Sequence, residues 1–396
     1  MRVLLVHDFD KAIGGAETVL VQTRDGLVSA GHDVAILAGA SGAEGRSFAD
    51  YTFNCPDDSM VGKLIFHLYN PYARRGIERA VRDFKPDLIH YHTVNRLSAA
   101  GLRTSIPSVM TMHDYGLVYP RLRKVLPRSQ FCGLSDGACC VRHAGPFRYF
   151  FEKTRTRLLY NRRQNIGLYL APSKFMHDTV LALGYAPVRV VPNPLMTPGG
   201  RNLSTGPKSG NTLMYAGRLE QEKGIRSLLS AFAVIHKQLP DAKLVIAGDG
   251  PEKAYAQEFI NANKLTNAVQ LLGYVTKEAL FARYEAAKVV VIPSLWPEPF
   301  GLIGTEAFST GTPVVASGRG GMDWLKDGEN GLIADPEKPE EMAEVIIRLL
   351  TDEELYSRMS QNALKTAQDY SPEVYTNNLV NAYTAAGDTA GSEAKR

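Results

Sequence analysis

The sequence predicts an α/β protein of two doubly wound domains, and three observations carry that reading. Short β-branched runs alternate with amphipathic helical stretches along the whole length, the pattern of a parallel sheet covered by helices on both faces. The alternation begins afresh after PNPLMTPGGRNLSTGPKSGN, a stretch rich in Pro, Gly, Ser and Asn and without periodicity. A chain of 396 residues is also too long for one ordinary core.

The first domain, 1–195, carries the strand runs RVLLVH, HDVAILA, DLIHYHT, SVMTMHD, GLYLAPS and VRVVPN. A linker is expected over 196–210. The second domain, 211–370, carries TLMYAG, AKLVIAG, VQLLGY, VVVIPS, PVVAS and GLIAD, each followed by a helical stretch or a tight turn. The last helical stretch, 371–396, is expected to cross back and brace the first domain before a short tail. Two such domains create a cleft at which the carboxyl ends of both sheets can face each other.

Composition narrows the class. With 44% hydrophobic and 22% charged residues the chain reads as a globular protein, neither disordered nor fibrous. No apolar run approaches the roughly 20 residues that span a bilayer. The opening MRVLLVHDFDK meets charge at once and reads as a buried strand, so a cytoplasmic location is expected. Four cysteines do not make a disulfide framework. Cys132, Cys139 and Cys140 cluster, and either free loop thiols or a zinc site completed by His143 or Cys55 would fit them; paired CxxC spacing is missing. The net charge of +4 is uneven: eleven Lys and Arg fall between Arg121 and Arg163 against Asp136 and Glu152. Within it, FRYFFEKTRTRLLYNRRQ interleaves aromatics with cations, as a membrane-interface helix, an anionic-acceptor site or a solvated helix with one core-facing stripe would.

The most specific segment is PEPFGLIGTEAFSTGTPVV, after the strand VVVIPS. Glu298 lies in the loop at the strand end, and Glu306 falls inside the helix that starts near Gly301. Pro299, Phe300, Gly301 and Leu302 lead into that helix start, where unpaired N–H groups and the helix dipole favour a phosphate. The second motif is AGRLEQEKG, in which Arg218 and Lys223 follow a strand end, so that a forked and a point cation can share one diphosphate. In IGGAE, Gly14 and Gly15 occupy the first strand-to-helix loop and let backbone approach a ligand closely. His113 stands at the end of SVMTMHD, with Asp114 beside it as an orienting or loop-capping group. GYV offers Tyr274 and Val275 for a nucleobase, whereas GDGP is equally well explained as a turn. Asn193, Trp296 and Arg319 are exposed-loop candidates without an assigned role.

In these motifs the chain resembles the family-4 retaining glycosyltransferases of GT-B fold, whose hallmark is a pair of Glu residues separated by seven. The resemblance covers both domains, with its specific residues concentrated in the second. It implies that Glu298 contacts hydroxyls of the donor sugar and Glu306 the ribose. It implies further that Arg218 and Lys223 neutralise the diphosphate, that Gly14 and Gly15 cover it, and that His113 touches the sugar near the reacting carbon. Tyr274 and Val275 would meet a uracil-type edge. The activity implied is transfer of a sugar from a UDP- or GDP-sugar to a glycan, lipid-linked or small-molecule acceptor, in polysaccharide or glycoconjugate synthesis. No cofactor and no metal are implied, since side-chain cations do the neutralising and no DxD motif stands at a strand end. A peripheral membrane contact through 142–163 and no nucleic-acid partner complete the expectation. The competing readings are a nucleotide-sugar epimerase of similar build, a non-catalytic nucleotide-binding relative, and an NAD oxidoreductase, the last disfavoured because GxGxxG is missing after either first strand.

Overall fold

The computed structural model describes residues 1–11, 14–41, 46–102, 105–117, 145–195, 197, 208 and 210–393. They form two compact units, one running up to Pro194 and resuming at Pro372, the other Leu195–Ser371. Cys132, Cys139, Cys140, His143, most of the basic segment before residue 145 and nearly all of the linker lie outside the described residues.

The first unit runs β1 (Arg2–His7), α1 (Gly15–Ser29), β2 (Asp33–Gly39), β3 (Tyr51–Phe53), α2 (Met60–Leu68), α3 (Pro71–Phe84), β4 (Leu88–Tyr91), β5 (Ser108–Thr111), α4 (Pro146–Tyr160), β6 (Leu168–Ala171), α5 (Lys174–Ala182) and β7 (Val188–Val190). Its seven strands pair in parallel in the order β3-β2-β1-β4-β5-β6-β7, with Leu4 of β1 between Ala35 and Ile89. Val3, Leu4, Leu5 and Val6 are wholly buried, as expected of a strand covered on both faces. Local chemistry starts the helices: Asn70 accepts from the N–H groups of Tyr72 and Ala73, and Pro71 fills the first position of α3.

The second unit runs β8 (Thr212–Ala216), α6 (Ile225–Gln238), β9 (Lys243–Ala247), α7 (Lys253–Ala262), β10 (Val269–Gly273), α8 (Lys277–Ala286), β11 (Val289–Ile292), α9 (Leu302–Phe308), β12 (Val314–Ala316), β13 (Gly331–Ile333), α10 (Pro339–Thr351) and α11 (Glu353–Gln368). Its sheet is parallel in the order β10-β9-β8-β11-β12-β13. One buried cluster, with Phe232, Ile235 and Ile346, joins α6 and α10. Another, with Phe281, Phe308 and Trp324, holds α8 and α9. In both sheets the order reverses direction between two central strands, β1 and β4 in one, β8 and β11 in the other. Loops leaving the carboxyl ends of such a pair diverge and open a crevice.

The last helix, α12 (Pro372–Glu393), belongs to the first unit and packs on α1. Tyr375 Oη meets Thr23 Oγ1 at 2.7 Å, Tyr383 Oη meets His90 Nδ1 at 2.7 Å, and Leu379 and Ala382 are buried. The strand runs read from the sequence each contain one strand, trimmed at the ends. In particular β5 closes at Thr111, two residues before His113, and β3 was not among the runs read from the sequence.

Candidate functional site

In the second unit, the loops after β8 and β11 leave the switch point side by side. After β8 the chain makes a left-handed turn at Gly217, passes Arg218, and forms a short 3-10 turn over Gln221–Lys223 that ends on left-handed Gly224. Gly224 permits close packing, since a Cβ there would stand 1.8 Å from the carbonyl oxygen of Pro293. The Leu295 N–H donates to Glu222 O at 2.8 Å, tying the two loops together.

That packing sets Lys223 against Glu298. Lys223 Nζ donates to both carboxylate oxygens, at 2.8 and 3.0 Å, and Ser294 Oγ donates to Glu298 Oε1 at 2.5 Å. The Glu298 side chain is buried, which makes its cationic partner necessary. Lys223 Nζ also stands 4.8 Å from the Trp296 ring centre. Gly320, at φ +86°, lies against the Glu298 backbone, where a Cβ would come within 2.5 Å of its nitrogen and oxygen. Arg218 pairs with Glu220, and its side chain remains 65% exposed, so the guanidinium stands at the surface.

Glu306 lies on α9, buried, with its own partners. Tyr284 Oη donates to its Oε2 at 3.3 Å and Lys277 Nζ stands 3.6 Å from its Oε1. Burial raises its pKa above the usual carboxylate range, with Lys277 and Tyr284 pulling it back down. Lys277 and Tyr284 were not found in the sequence, because only the fold brings α8 beneath α9, and Ser294, four residues before Glu298, was not singled out there. Pro299 and Phe300 lead to Gly301, left-handed at φ +80°, which opens α9 at Leu302. Trp324 Nε1 donates to Phe300 O at 2.7 Å and fixes that loop. Tyr274, after β10, is 87% exposed, and Val275 packs at the edge of the core beneath.

In the first unit, the Gly14 N–H donates to Glu17 Oε2 at 2.7 Å, while Glu17 Oε1 lies 3.6 Å from His7 Nε2. The capping carboxylate of α1 thus holds the glycine pair, Gly14 and Gly15, at the end of β1. His113 sits beyond β5, its Nε2 2.9 Å from His92 Nδ1 and the two rings stacked 5.1 Å apart. Desolvation, with a contribution from His7, lowers the His113 pKa to about 3, so the ring is neutral at ordinary pH. Asp114 caps the next turn by accepting from the Gly116 N–H at 2.7 Å. A small hollow opens beside His113, lined in part by His92, Thr93, Asn95 and Asp114.

The residues proposed for the donor therefore fall into separate groups. Lys223 and Glu298 are in contact, Arg218 lies on the same loop as Lys223, Glu306 is held from α8, and Gly14, Gly15 and His113 stand at strand ends of the other unit. Of the three unassigned loop residues, Asn193 is buried and not exposed. Arg319 is half-buried and pairs with Asp335 and Glu337. Cys55, Asp57 and His67 bring ligand atoms within 4.8 Å of one another. The Arg96 guanidinium forks onto Asp57 at 2.8 and 3.1 Å, and burial pushes the Cys55 thiol up to about 11, so this cluster is an ion-paired knot.

The family model for glycosyl transferases group 1 matches residues 202–366, and that for glycosyltransferase family 4 matches residues 13–197. This chain belongs to the family-4 glycosyltransferases of GT-B fold. It is 36% identical over 181 residues to an uncharacterised glycosyltransferase of Methanocaldococcus jannaschii, a match covering 45% of this chain and 46% of that one. The matched part thus spans about half the length of that relative. The alpha-monoglucosyldiacylglycerol synthase of Acholeplasma laidlawii is 24% identical over 401 residues, covering 94% of this chain and 93% of the synthase. Among solved structures, Anabaena HepE in complex with UDP superposes with a TM-score of 0.71 at 21% identity, covering 97% and 100% of the two chains. That likeness speaks for the GT-B fold.

Proposed function

We propose that this family-4 protein is a retaining, metal-independent glycosyltransferase that moves a sugar from a nucleoside diphosphate donor to a glycan, lipid-linked or small-molecule acceptor. The observation that carries the reading is the contact of Lys223 with the buried Glu298 carboxylate at the switch point of the second sheet, with the exposed Arg218 on the same loop as Lys223. Two cations of different geometry at one crevice suit a diphosphate. A carboxylate already oriented by Lys223 and Ser294 keeps lone pairs for sugar hydroxyls.

The chemistry follows from charge. The acceptor hydroxyl attacks the anomeric carbon from the face the diphosphate leaves; the carbon–oxygen bond to phosphate breaks, and the hydroxyl proton passes to the departing phosphate oxygen. Positive charge on the ring and negative charge on the diphosphate develop together, so fixed dipoles and cations stabilise the transition state. Arg218 and Lys223 supply the positive charge that a divalent ion supplies in other designs. His113, neutral, can donate or accept a hydrogen bond near the sugar without adding charge.

UDP-sugars are the first donors to try, since the Anabaena neighbour is solved with UDP, and GDP-sugars the second. The name of the Acholeplasma relative favours a lipid among the acceptors. Such an acceptor would place the protein in the cytoplasm at the inner membrane face, with the 142–163 segment towards it. The epimerase alternative finds no support in the family matches.

The test is a panel of nucleotide sugars scored for protein-dependent diphosphate release, with the product anomer read by NMR. Release that persists in excess chelator, with the donor's anomeric configuration kept, is expected. Loss of turnover on chelation, an inverted product, or conversion of the donor without an acceptor would overturn the respective part of the reading.

A further inference from the structure

Helix α2 has the sequence MVGKLIFHL, with an apolar stripe at 60, 61, 64, 65 and 68 along one side and Phe66, stacked on Tyr72, off that stripe. Such a stripe ordinarily faces a core. Here one edge of it faces out: Met60, Val61 and Ile65 are 76%, 63% and 55% exposed, while Leu64 and Leu68 are half-buried and Gly62 is the one buried residue of the helix. The orientation is fixed from below. A Cβ on Gly62 would stand 2.2 Å from Pro56 O, Ser59 Oγ caps the Gly62 N–H at 2.9 Å, and His67 holds Asp57 at 3.1 Å.

Helix α4, which packs on α2, is turned the same way. Its buried face carries Glu152, Arg155 and Leu159. Arg155 donates to Glu152 at 2.9 Å, to Asn95 Oδ1 at 3.2 Å and to Gly116 O at 2.8 Å, which locks the rotation. Phe147 and Phe150 are thereby left 67% and 62% exposed. Every exposed charge on the two helices is positive: Lys63 on α2, and Arg148, Lys153 and Arg157 on α4, because the one acid of either helix, Glu152, is buried.

We propose that α2 and α4 together form a docking face for an anionic lipid surface. Met60, Val61, Ile65, Phe147 and Phe150 would enter the headgroup boundary, while Lys63, Lys153 and Arg157 meet lipid phosphates. The charge decides the occupant. A second copy of this face would set cations against cations, whereas an anionic bilayer complements both the charge and the apolar side chains. The inference stands on the two helices alone. It narrows the acceptor class of the proposed activity towards membrane lipids, and it is tested without turnover, so the two readings fail separately.

The measurement is flotation of the intact protein with phosphatidylcholine vesicles, with and without phosphatidylglycerol. Partition onto the anionic vesicles is expected, weakening as salt rises to about 0.5 M. The triple variant Met60→Ser, Val61→Ser, Ile65→Ser should reduce partition about tenfold, with thermal stability and donor hydrolysis unchanged. Lys153→Gln with Arg157→Gln should remove the preference for phosphatidylglycerol. No partition, or undiminished partition of the triple variant, would overturn the proposal. So would a concentration-dependent dimer that the triple variant abolishes while vesicles capture nothing.

Discussion

Lys223 and Glu298 show how one contact can serve both stability and chemistry. Replacing Lys223 by Ala leaves a buried carboxylate without its cation and also removes a charge from the proposed diphosphate site. Arg218→Ala removes chiefly the second, because the Arg218 side chain is 65% exposed. Both variants are expected to lose about 100 to 1000-fold in kcat, and Lys223→Ala alone to lower the melting temperature. Near-normal turnover in both would end the assignment. Lys277 is a positioning residue for Glu306. Removing its charge raises the Glu306 pKa further, and a protonated carboxyl is a weaker acceptor for the donor hydroxyl that the family resemblance would set against it. Lys277→Met should therefore raise the donor KM and move the acid limb of the pH profile to higher pH, with Lys277→Arg restoring both. A unchanged limb in the Met variant would show Lys277 to be merely structural.

At the scale of elements, the short helix α9 depends on one missing side chain. A Cβ on Gly304 would stand 2.0 to 2.5 Å from carbons of the Trp324 ring. The indole cannot yield easily, since it is buried, packs edge-on to Phe308 and donates to Phe300 O. Gly304→Ala is accordingly expected to cost about 3 kcal/mol by overpacking and to displace the 299–302 loop. Chemical denaturation measures the first, and donor titration the second. Trp324 is one of two tryptophans, so a shift of emission would report the displaced ring. A variant with native emission and native stability would show that α9 moves freely.

At the scale of the molecule, the first unit is built around neutral histidines. His90 and His92 are wholly desolvated and held well below their ordinary pKa, and His113 is lowered to about 3. A histidine that is neutral when folded and ordinary when unfolded gives its full stabilisation above the unfolded value, near 6.5, and loses it as pH falls towards the folded value. Each takes up a proton on unfolding once the pH is below about 6.5, so all three act in the same direction. The melting temperature is expected to hold from pH 8 to 7 and to fall steeply between pH 6.5 and 5. A flat profile down to pH 5 would mean that the cluster is charged or hydrated in the folded protein. His90 also ties α12 to this sheet through Tyr383, so acid should release the C-terminal helix with the unit that holds it.

Strand periodicity, the glycines at loop ends, and the PEPFG and GRLEQEK segments were legible because each depends on neighbours a few residues away. They determined two parallel α/β units and the strand ends at which the residues proposed for a diphosphate stand. What the chain's order could not express was contact across it. Lys223 and Glu298 are 75 positions apart, Lys277 reaches Glu306 from another helix, and Ser294 meets Glu298 only because the loop turns back. The same holds for α2, whose stripe reads as a core helix. Its outward face follows from Gly62 sitting on Pro56, a close approach between backbones that only tertiary packing decides.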